Sequence, residues 1–344
     1  QRDLSRQIEE IVKVEQADEQ TVHTELTEYV VTDRIREQYR ELLRAIADGP
    51  STPTEGVGAW ISGFFGSGKS SFAKNLGYVL ANREVLGQKA SDLFKTTVDD
   101  QQIANFVDHI NTSIPTDVVM FDVQIDKAVR TATEPIAEIM YRVLLRELGY
   151  AEDYDIAELE IELESEERYQ DFTSRCEEQF GQKWERVRKG AQKVSRASAL
   201  LHAIDPDTYP SPETWAHTVR DNRVNVTVAL LVQRTFDLTA RRRPGEALAF
   251  IIDEVGQYVA RSADKIEGLR AVVEQFGKES KNRVQAGEAV APVWVMVTSQ
   301  EKLNEVVAAI DSKRVELARL QDRFKYRIDM APADIRQVAT KRVL

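Results

Sequence analysis

Residues 63–70 read Gly-Phe-Phe-Gly-Ser-Gly-Lys-Ser, and this stretch decides the fold that we expect. A glycine, four further residues and then Gly-Lys-Ser allow the backbone to curl into a nest whose N–H groups point at phosphate oxygens. In such a nest Lys69 reaches the β- and γ-phosphates, and the Ser70 hydroxyl completes the coordination of Mg²⁺. The stretch predicts a phosphate-binding loop, against the alternative of a glycine-rich turn without a ligand.

The residues on either side of this loop supply the strand and the helix that the motif requires. Residues 58–62 read as a short buried strand. The apolar residues after the loop recur at the spacing of one helix face; they are Phe72, Leu76, Val79 and Leu80. We predict that the nucleotide is bound by the loop and the residue after it, namely Gly63, Phe64, Phe65, Gly66, Ser67, Gly68, Lys69, Ser70 and Ser71.

Two acids end a second apolar stretch, residues 247–254, which read Ala-Leu-Ala-Phe-Ile-Ile-Asp-Glu. Buried carboxylates are costly without partners, so a pair at a strand end indicates an open edge where a cation can meet them. Next to a phosphate-binding loop, we assign Ser70 and Asp253 to Mg²⁺, with Asp253 holding the ion through water. Glu254 is assigned to polarising the water that attacks the γ-phosphate. The alternative is an accidental acidic strand end.

A third apolar stretch, residues 293–297, is followed by the polar residues Thr298, Ser299 and Gln300. Such residues beside a phosphate-binding loop either sense the γ-phosphate by hydrogen bonding or cap the next helix through Thr298 or Ser299. Both roles are compatible, and we assign Ser299 to catalysis.

Arg323 lies at the junction between a basic helix and the last predicted strand, residues 326–330. An arginine there either reaches a neighbouring subunit's nucleotide as a finger that stabilises transition-state charge or forms a surface salt bridge. With this arginine, the predicted catalytic set is Glu254, Lys69, Ser299 and Arg323.

The predicted strands end near residues 62, 124, 252, 298 and 330 and alternate with helices, which predicts an α/β fold with a parallel sheet wrapped by helices on both faces. Between Glu152 and Glu167 the chain carries nine carboxylates and no basic residue. Such a run is typical of a solvated face, and otherwise of a docking surface for a basic partner. The predicted parts are a mixed N-terminal segment with a possible strand at 11–14 (1–50), the first part of the core (51–150), a charged helical insertion (151–243), the second part of the core (244–331) and the start of a lid (332–344).

Composition narrows the class of protein. The chain has 344 residues and a net charge of −11, which disfavours a protein that coats nucleic acid through cationic side chains. Basic runs at 241–243 and 278–283 leave direct DNA translocation as a further interpretation.

The single cysteine, Cys176, fits a reducing cytoplasm, and no apolar run is long enough to span a bilayer. The four histidines show no zinc spacing. We therefore expect a cytoplasmic protein without a membrane partner.

Four phrases resemble the BrxC/PglY family, the large P-loop protein of bacteriophage-exclusion (BREX) and phage-growth-limitation defence systems. They are Trp-Ile-Ser-Gly-Phe-Phe-Gly-Ser-Gly-Lys-Ser at 60–70, Ile-Asp-Glu-Val-Gly-Gln-Tyr at 252–258, Val-Met-Val-Thr-Ser-Gln-Glu at 295–301, and Asp-Arg-Phe at 322–324 with Asp334-Ile335 and 341–344. The resemblance implies a P-loop ATPase of the AAA+ (ASCE) type, in which the strand at 293–297 lies between the loop strand and the acid strand. It also implies ATP and Mg²⁺ as ligands, a homo-oligomer, and cooperation with a DNA methyltransferase and other BREX proteins on DNA.

The function that we expect from this resemblance is ATP binding and hydrolysis that drive the assembly or remodelling of a defence complex. Two alternatives stay open: a nucleotide-gated scaffold with negligible hydrolysis, and another AAA+ or STAND-type ATPase associated with DNA. A small-molecule kinase is disfavoured because the sequence indicates no separate substrate lid. Family members are longer, and the chain lacks an initiator Met and ends in a helical pattern. We therefore expect a part of a longer protein, weakly active without the rest of its lid.

Overall fold

The fold is described from a computed structural model, for residues 18–131, 133–260, 262–308 and 321–330. The strands are β1 (Gly58–Ser62), β2 (Glu84–Val85), β3 (Gln88–Lys89), β4 (Thr116–Asp122), β5 (Ala247–Asp253), β6 (Trp294–Ser299) and β7 (Tyr326–Asp329). The helices are α1 (Glu19–Thr27), α2 (Asp33–Asp48), α3 (Lys69–Ala81), α4 (Ala90–Val98), α5 (Gln101–Ser113), α6 (Ile136–Glu147), α7 (Tyr154–Ser165), α8 (Tyr169–Phe180), α9 (Trp184–Val187), α10 (Lys193–Ile204), α11 (Thr214–Asp221), α12 (Val228–Arg242), α13 (Val255–Val259), α14 (Ala263–Ala286) and α15 (Leu303–Ala308).

Five strands form one parallel sheet in the order β4-β5-β6-β1-β7. Every residue of β1, β5 and β6 is buried, as expected for a parallel sheet covered on both faces. The predicted α/β parallel sheet is confirmed, and so is the placement of the third apolar stretch, as β6, between the loop strand and the acid strand. All these strands end at the same edge, which we call the carboxyl edge of the sheet.

Helix α2 supports α3, the helix that follows the predicted phosphate-binding loop. The predicted apolar face of α2 is buried, and the helix is capped by Thr32, whose hydroxyl accepts from Ile35 N. Tyr39 stacks on Phe72 of α3, with ring centroids 4.0 Å apart, and its hydroxyl donates to Phe72 O. Burial of this tyrosine raises its pKa well above the ordinary value, so the hydroxyl stays a donor. These contacts hold the first turns of α3 against α2.

The chain divides into two compact units. The first contains the described residues of 1–137 and 228–344, and the second comprises 138–227. The second unit is helical, from α6 to α11, and overlaps the predicted insertion over 151–227. Residues 228–242 form α12, which belongs to the first unit.

The acidic run forms α7 in the second unit, and the prediction of a solvated face is wrong for part of it. Tyr141 and Tyr150 donate to Glu158 and Glu164, and Glu160 is buried with a full set of donors. The acids of the run that are exposed to water are Glu152, Glu162, Glu166 and Glu167. Alternate glutamates of this run therefore bind within the unit.

Several predictions fall on residues outside the described ranges. They are the possible strand at 11–14, most of the basic helix before Arg323, and the start of the lid at 332–344. Over the part of the chain that is described, no helix is both long and apolar enough to cross a bilayer.

Candidate functional site

The phosphate-binding loop follows β1 and leads directly into α3. Gly66 and Gly68 have φ angles of 79° and 92°, the left-handed region that favours glycine. Ser67 N donates to Phe64 O at 3.0 Å, which closes the turn, and Phe72 N donates to Gly68 O at 2.8 Å, which starts the helix. A side chain at Gly63 would overlap Ser67 Oγ. Three glycines therefore allow the loop to fold into a tight concave turn at the N-terminus of α3.

Two features of this turn fit a phosphate ligand. The hydroxyl of Ser67 is buried and has no hydrogen-bond partner among the described residues, which is unusual for a buried polar group. A nest of N–H groups at a helix N-terminus attracts anions. Phe65 is 86% exposed and Phe64 44%, so these two predicted ligands can contribute only backbone groups to the inside of the turn. Ser71 lies in the first turn of α3.

The acid pair stands at the end of β5, two strands away from β1. Ser70 Oγ donates to Asp253 Oδ1 at 3.4 Å. This contact suits an ion that Ser70 would bind directly and that Asp253 would hold through a water molecule, because Mg²⁺ usually keeps several of its waters. The predicted metal ligands, Ser70 and Asp253, are therefore brought together by the fold.

Lys69 and Glu254 form a buried ion pair at the same edge. Lys69 Nζ donates to Glu254 Oε1 at 2.6 Å, with side-chain exposures of 7% and 16%. Gln300 Nε2 donates to the other oxygen, Glu254 Oε2, at 3.3 Å. Both carboxylate oxygens of Glu254 are thus engaged in this structure.

Glu254 also has a strained backbone, with a φ of 57° that non-glycine residues rarely adopt. Its backbone N donates to Thr298 Oγ1 at 3.0 Å, which holds this conformation in place. Outliers of this kind cluster at functional sites, because the surrounding structure has to compensate for them. The strain aims the Glu254 carboxylate at the loop instead of continuing β5.

Thr298 is the β6 residue that contacts both acids. Besides accepting from Glu254 N, its hydroxyl donates to Asp253 Oδ1. Ser299, which we assigned to catalysis, uses its Oγ to accept from Glu301 N at 3.1 Å and packs where a side chain on Gly256 would stand. The prediction that Thr298 or Ser299 caps the next helix is wrong, because α15 begins only at Leu303.

Arg323 is not brought to the phosphate-binding loop of its own chain. Its carbonyl lies beside Gly58, the first residue of β1, whereas the loop follows the last residue of that strand. A five-residue strand separates these two positions by roughly 15 Å. Arg323 Nη1 pairs with Glu55 at 3.6 Å and Nη2 with Glu274 at 3.5 Å. Within one chain, the arginine forms surface salt bridges.

Asp122, at the end of β4, is a site residue that the sequence analysis missed. It stands in register with Asp253, and its carboxylate accepts from Gln124 N at 2.7 Å. Burial, together with the negative charges of Asp253 and Glu254, raises the pKa of Asp122 to about 6. Three carboxylates therefore share this part of the carboxyl edge.

Comparisons with known proteins add no identification. The chain matches no protein-family model, and no solved structure matches it. Within the described ranges, no group of three or more His, Cys, Asp or Glu side chains is placed to hold a metal ion. A Mg²⁺ site here would thus rest on Asp253, Ser70 and oxygens supplied by phosphate and water, which is how Mg²⁺ is usually bound.

Proposed function

We propose that this chain binds ATP and hydrolyses it. The observation that carries the proposal is the meeting of four side chains from two separate sequence motifs. Lys69 and Ser70 of the loop lie within 2.6 Å and 3.4 Å of Glu254 and Asp253. A glycine-rich turn without a ligand gives no reason for this convergence at the carboxyl edge, where open α/β sheets bind ligands.

Each side chain has a role that follows from its position. Lys69 is placed at the start of α3 to bind the terminal phosphates, and the loop backbone supplies N–H donors. Ser70 and Asp253 would hold Mg²⁺, which neutralises charge on the phosphates when it is bound. Glu254 acts as the general base or orienting group for water once Lys69 has turned to the phosphates. Thr298 holds both acids in register with one hydroxyl.

The first test measures binding and turnover of ATP by wild type and Lys69→Ala, with Lys278→Ala as a matched control. Lys278 is half exposed and pairs with Glu274 on α14. Loss of the Lys69 ammonium should weaken ATP binding by about 10- to 100-fold, as expected for a hydrogen bond between charged groups. Unchanged affinity in Lys69→Ala would contradict the proposal, and the control should bind as wild type does.

A second candidate function is a nucleotide-gated scaffold that binds ATP and hydrolyses it negligibly. It is favoured by the engagement of both Glu254 oxygens, with Lys69 and with Gln300. The two functions are separated by measuring the rate of ATP hydrolysis per molecule of protein at a series of protein concentrations. A specific rate that rises with concentration supports an ATPase completed by assembly, and a rate that stays at zero supports the scaffold.

The more detailed parts of the proposal are supported by the sequence resemblance. We infer an AAA+-type ATPase of the BrxC/PglY kind, cytoplasmic and oligomeric, that acts with a DNA methyltransferase and other BREX proteins. The position of Arg323, away from its own loop, is compatible with action on a neighbouring subunit. Mixing Arg323→Ala with Glu254→Gln protein tests this. If the arginine acts between subunits, mixed oligomers regain part of the activity that each variant lacks.

A further inference from the structure

The second unit carries a row of cations that makes no ion pair. The unit has twelve Lys and Arg against nineteen Asp and Glu, so carboxylates are abundant. Several of its cations have a carboxylate within 4 Å, among them Arg146, Arg168, Arg175, Arg188 and Lys193. Lys183, Arg186 and Lys189 are exposed and pair with no carboxylate among the described residues. Their charges are therefore free to meet a ligand.

The backbone places these three cations on one side of a short turn of chain. Arg186 N donates to Lys183 O at 3.0 Å, and Lys189 N donates to Arg186 O at 3.3 Å. A chain that turns once every three residues brings residues three apart next to each other, with Cβ atoms about 5–6 Å apart. The cations thus form a line and not a compact cluster.

A buried carboxylate fixes this segment from the inside. Glu160, 1% exposed, accepts from Trp184 Nε1 at 2.6 Å and from Arg188 Nη1 at 2.9 Å. Trp184 also packs edge-on against Phe172, with ring centroids 4.8 Å apart. Because the residues between the three cations are anchored, the row is preorganised, and less conformational entropy is lost when a ligand binds.

The row borders an open cavity of about 940 Å³. Tyr169 contributes an aromatic ring to the lining, and Glu177 and Glu185 contribute two carboxylates. The two carboxylates offset most of the charge of the three cations, which disfavours a ligand that has only anionic groups. The carboxylates suit a ligand that also carries hydrogen-bond donors, because carboxylates accept from the amino groups of bases.

We propose that this cavity binds a single strand of nucleic acid. The phosphates of the strand follow the row of Lys183, Arg186 and Lys189, Tyr169 offers a ring for base stacking, and Glu177 and Glu185 accept from base amino groups. The proposal is independent of the phosphate-binding loop, since every residue in it belongs to the second unit. The large acidic excess of the unit makes the binding modest in strength and sensitive to salt.

The test measures the affinity of the full chain for a fluorescent oligodeoxycytidylate over a series of salt concentrations. For three phosphate contacts on a single strand, log K should fall with log salt at a slope of about −2. The triple variant Lys183→Ala/Arg186→Ala/Lys189→Ala should bind at least tenfold more weakly with a flatter slope. Arg175→Ala, an exposed and ion-paired cation of the same unit, is the matched control and should bind as wild type does.

Three results would overturn the proposal: no binding at low salt, equal binding by the triple variant, or tripolyphosphate competing as well as the oligonucleotide. Each substituted cation makes no ion pair, so the triple variant should keep the wild-type thermal transition, which checks that it is folded. Loss of ATP binding in Lys69→Ala, measured separately, should leave oligonucleotide binding unchanged.

Discussion

Two glutamates, the fully buried Glu160 and the partly buried Glu254, differ in what holds them. Glu160 accepts from Ala151 N, Trp184 Nε1 and Arg188, donors that are built into the second unit. Glu254 is held by Lys69, whose ammonium belongs to the phosphate-binding loop, and weakly by Gln300. It also sits on a strained backbone. The difference separates a carboxylate that stabilises a fold from one whose partner can be taken by a ligand.

The largest effect that this comparison predicts is on stability. Glu160→Leu leaves the Arg188 guanidinium buried without its carboxylate, and breaking a buried pair in this way costs about 3–5 kcal/mol. Glu254→Gln keeps the shape of the side chain and an oxygen that can accept from Lys69 Nζ, and the Glu254 site is partly exposed, so its free energy of unfolding should change by about 1 kcal/mol or less. Urea denaturation of both variants measures the two values. Equal losses of unfolding free energy in the two variants would contradict the difference that we infer between Glu160 and Glu254.

A smaller effect is expected on nucleotide affinity. In Glu254→Gln the Lys69 ammonium loses its competitor, so ADP should bind more tightly, by about fivefold if the pair contributes about 1 kcal/mol. Calorimetric titration of ADP into wild type and variant measures this. Weaker binding by the variant would show that the carboxylate assists the phosphates instead of competing with them.

The raised pKa of Asp122 leads us to expect that the free energy of unfolding depends on pH, with an effect of similar size. Its pKa is raised from 3.8 to about 6, so the folded chain holds this proton more tightly than the unfolded chain. Stability from this group is then present below about pH 4 and is lost as the pH rises through about 6. Since Asp122 is partly exposed, we expect about 1 kcal/mol, less than the shift alone would give.

The measurement is the unfolding free energy of wild type and Asp122→Asn from pH 4 to 7, in EDTA. Wild type should lose stability relative to the variant as the pH rises. Parallel curves would mean that Asp122 ionises normally.

The smallest effect concerns the loop itself. Phe65 is 86% exposed, so Phe65→Ser should change ATP affinity by less than about 0.5 kcal/mol. Gly66→Ala, one residue on, forces a side chain into the left-handed region and should cost about 1–2 kcal/mol of loop stability. The pair of variants, assayed for ATP binding, tests whether the loop acts through its backbone. Equal losses would contradict that.

Much of this arrangement follows from local sequence. The loop glycines, the strand before them and the acid pair are each set by neighbouring residues. The order of β5, β6 and β1 agrees with what the family resemblance implies, and local sequence alone does not predict it. The predictions that were wrong or incomplete concern side chains whose partners are set by long-range packing. Side chains alternate along a strand, so Thr298 and Ser299 point to opposite faces, and only the pairing of β6 with β5 decides which hydroxyl meets Asp253. Asp122 was missed because the predicted strand ended near residue 124 and not at Asp122.

Long-range packing also explains why the prediction of a solvated face was wrong for part of the acidic run. Charge spacing alone favours a solvated face, but Glu160 points inward because its donors, Trp184 and Arg188, come from a segment more than twenty residues further on. Likewise, the hairpin of β2 and β3 turns at Leu86 and Gly87 and has strands of only two residues each, too short to produce a pattern.

The most direct test of the central claim is the rate of phosphate release by Glu254→Gln, measured at saturating ATP in the same assembly state as wild type. If Glu254 is the general base, the variant should still bind ATP and release phosphate about 10²- to 10⁴-fold more slowly, which is the usual contribution of such a group. A variant that binds ATP and hydrolyses it at the wild-type rate would contradict the assignment of Glu254.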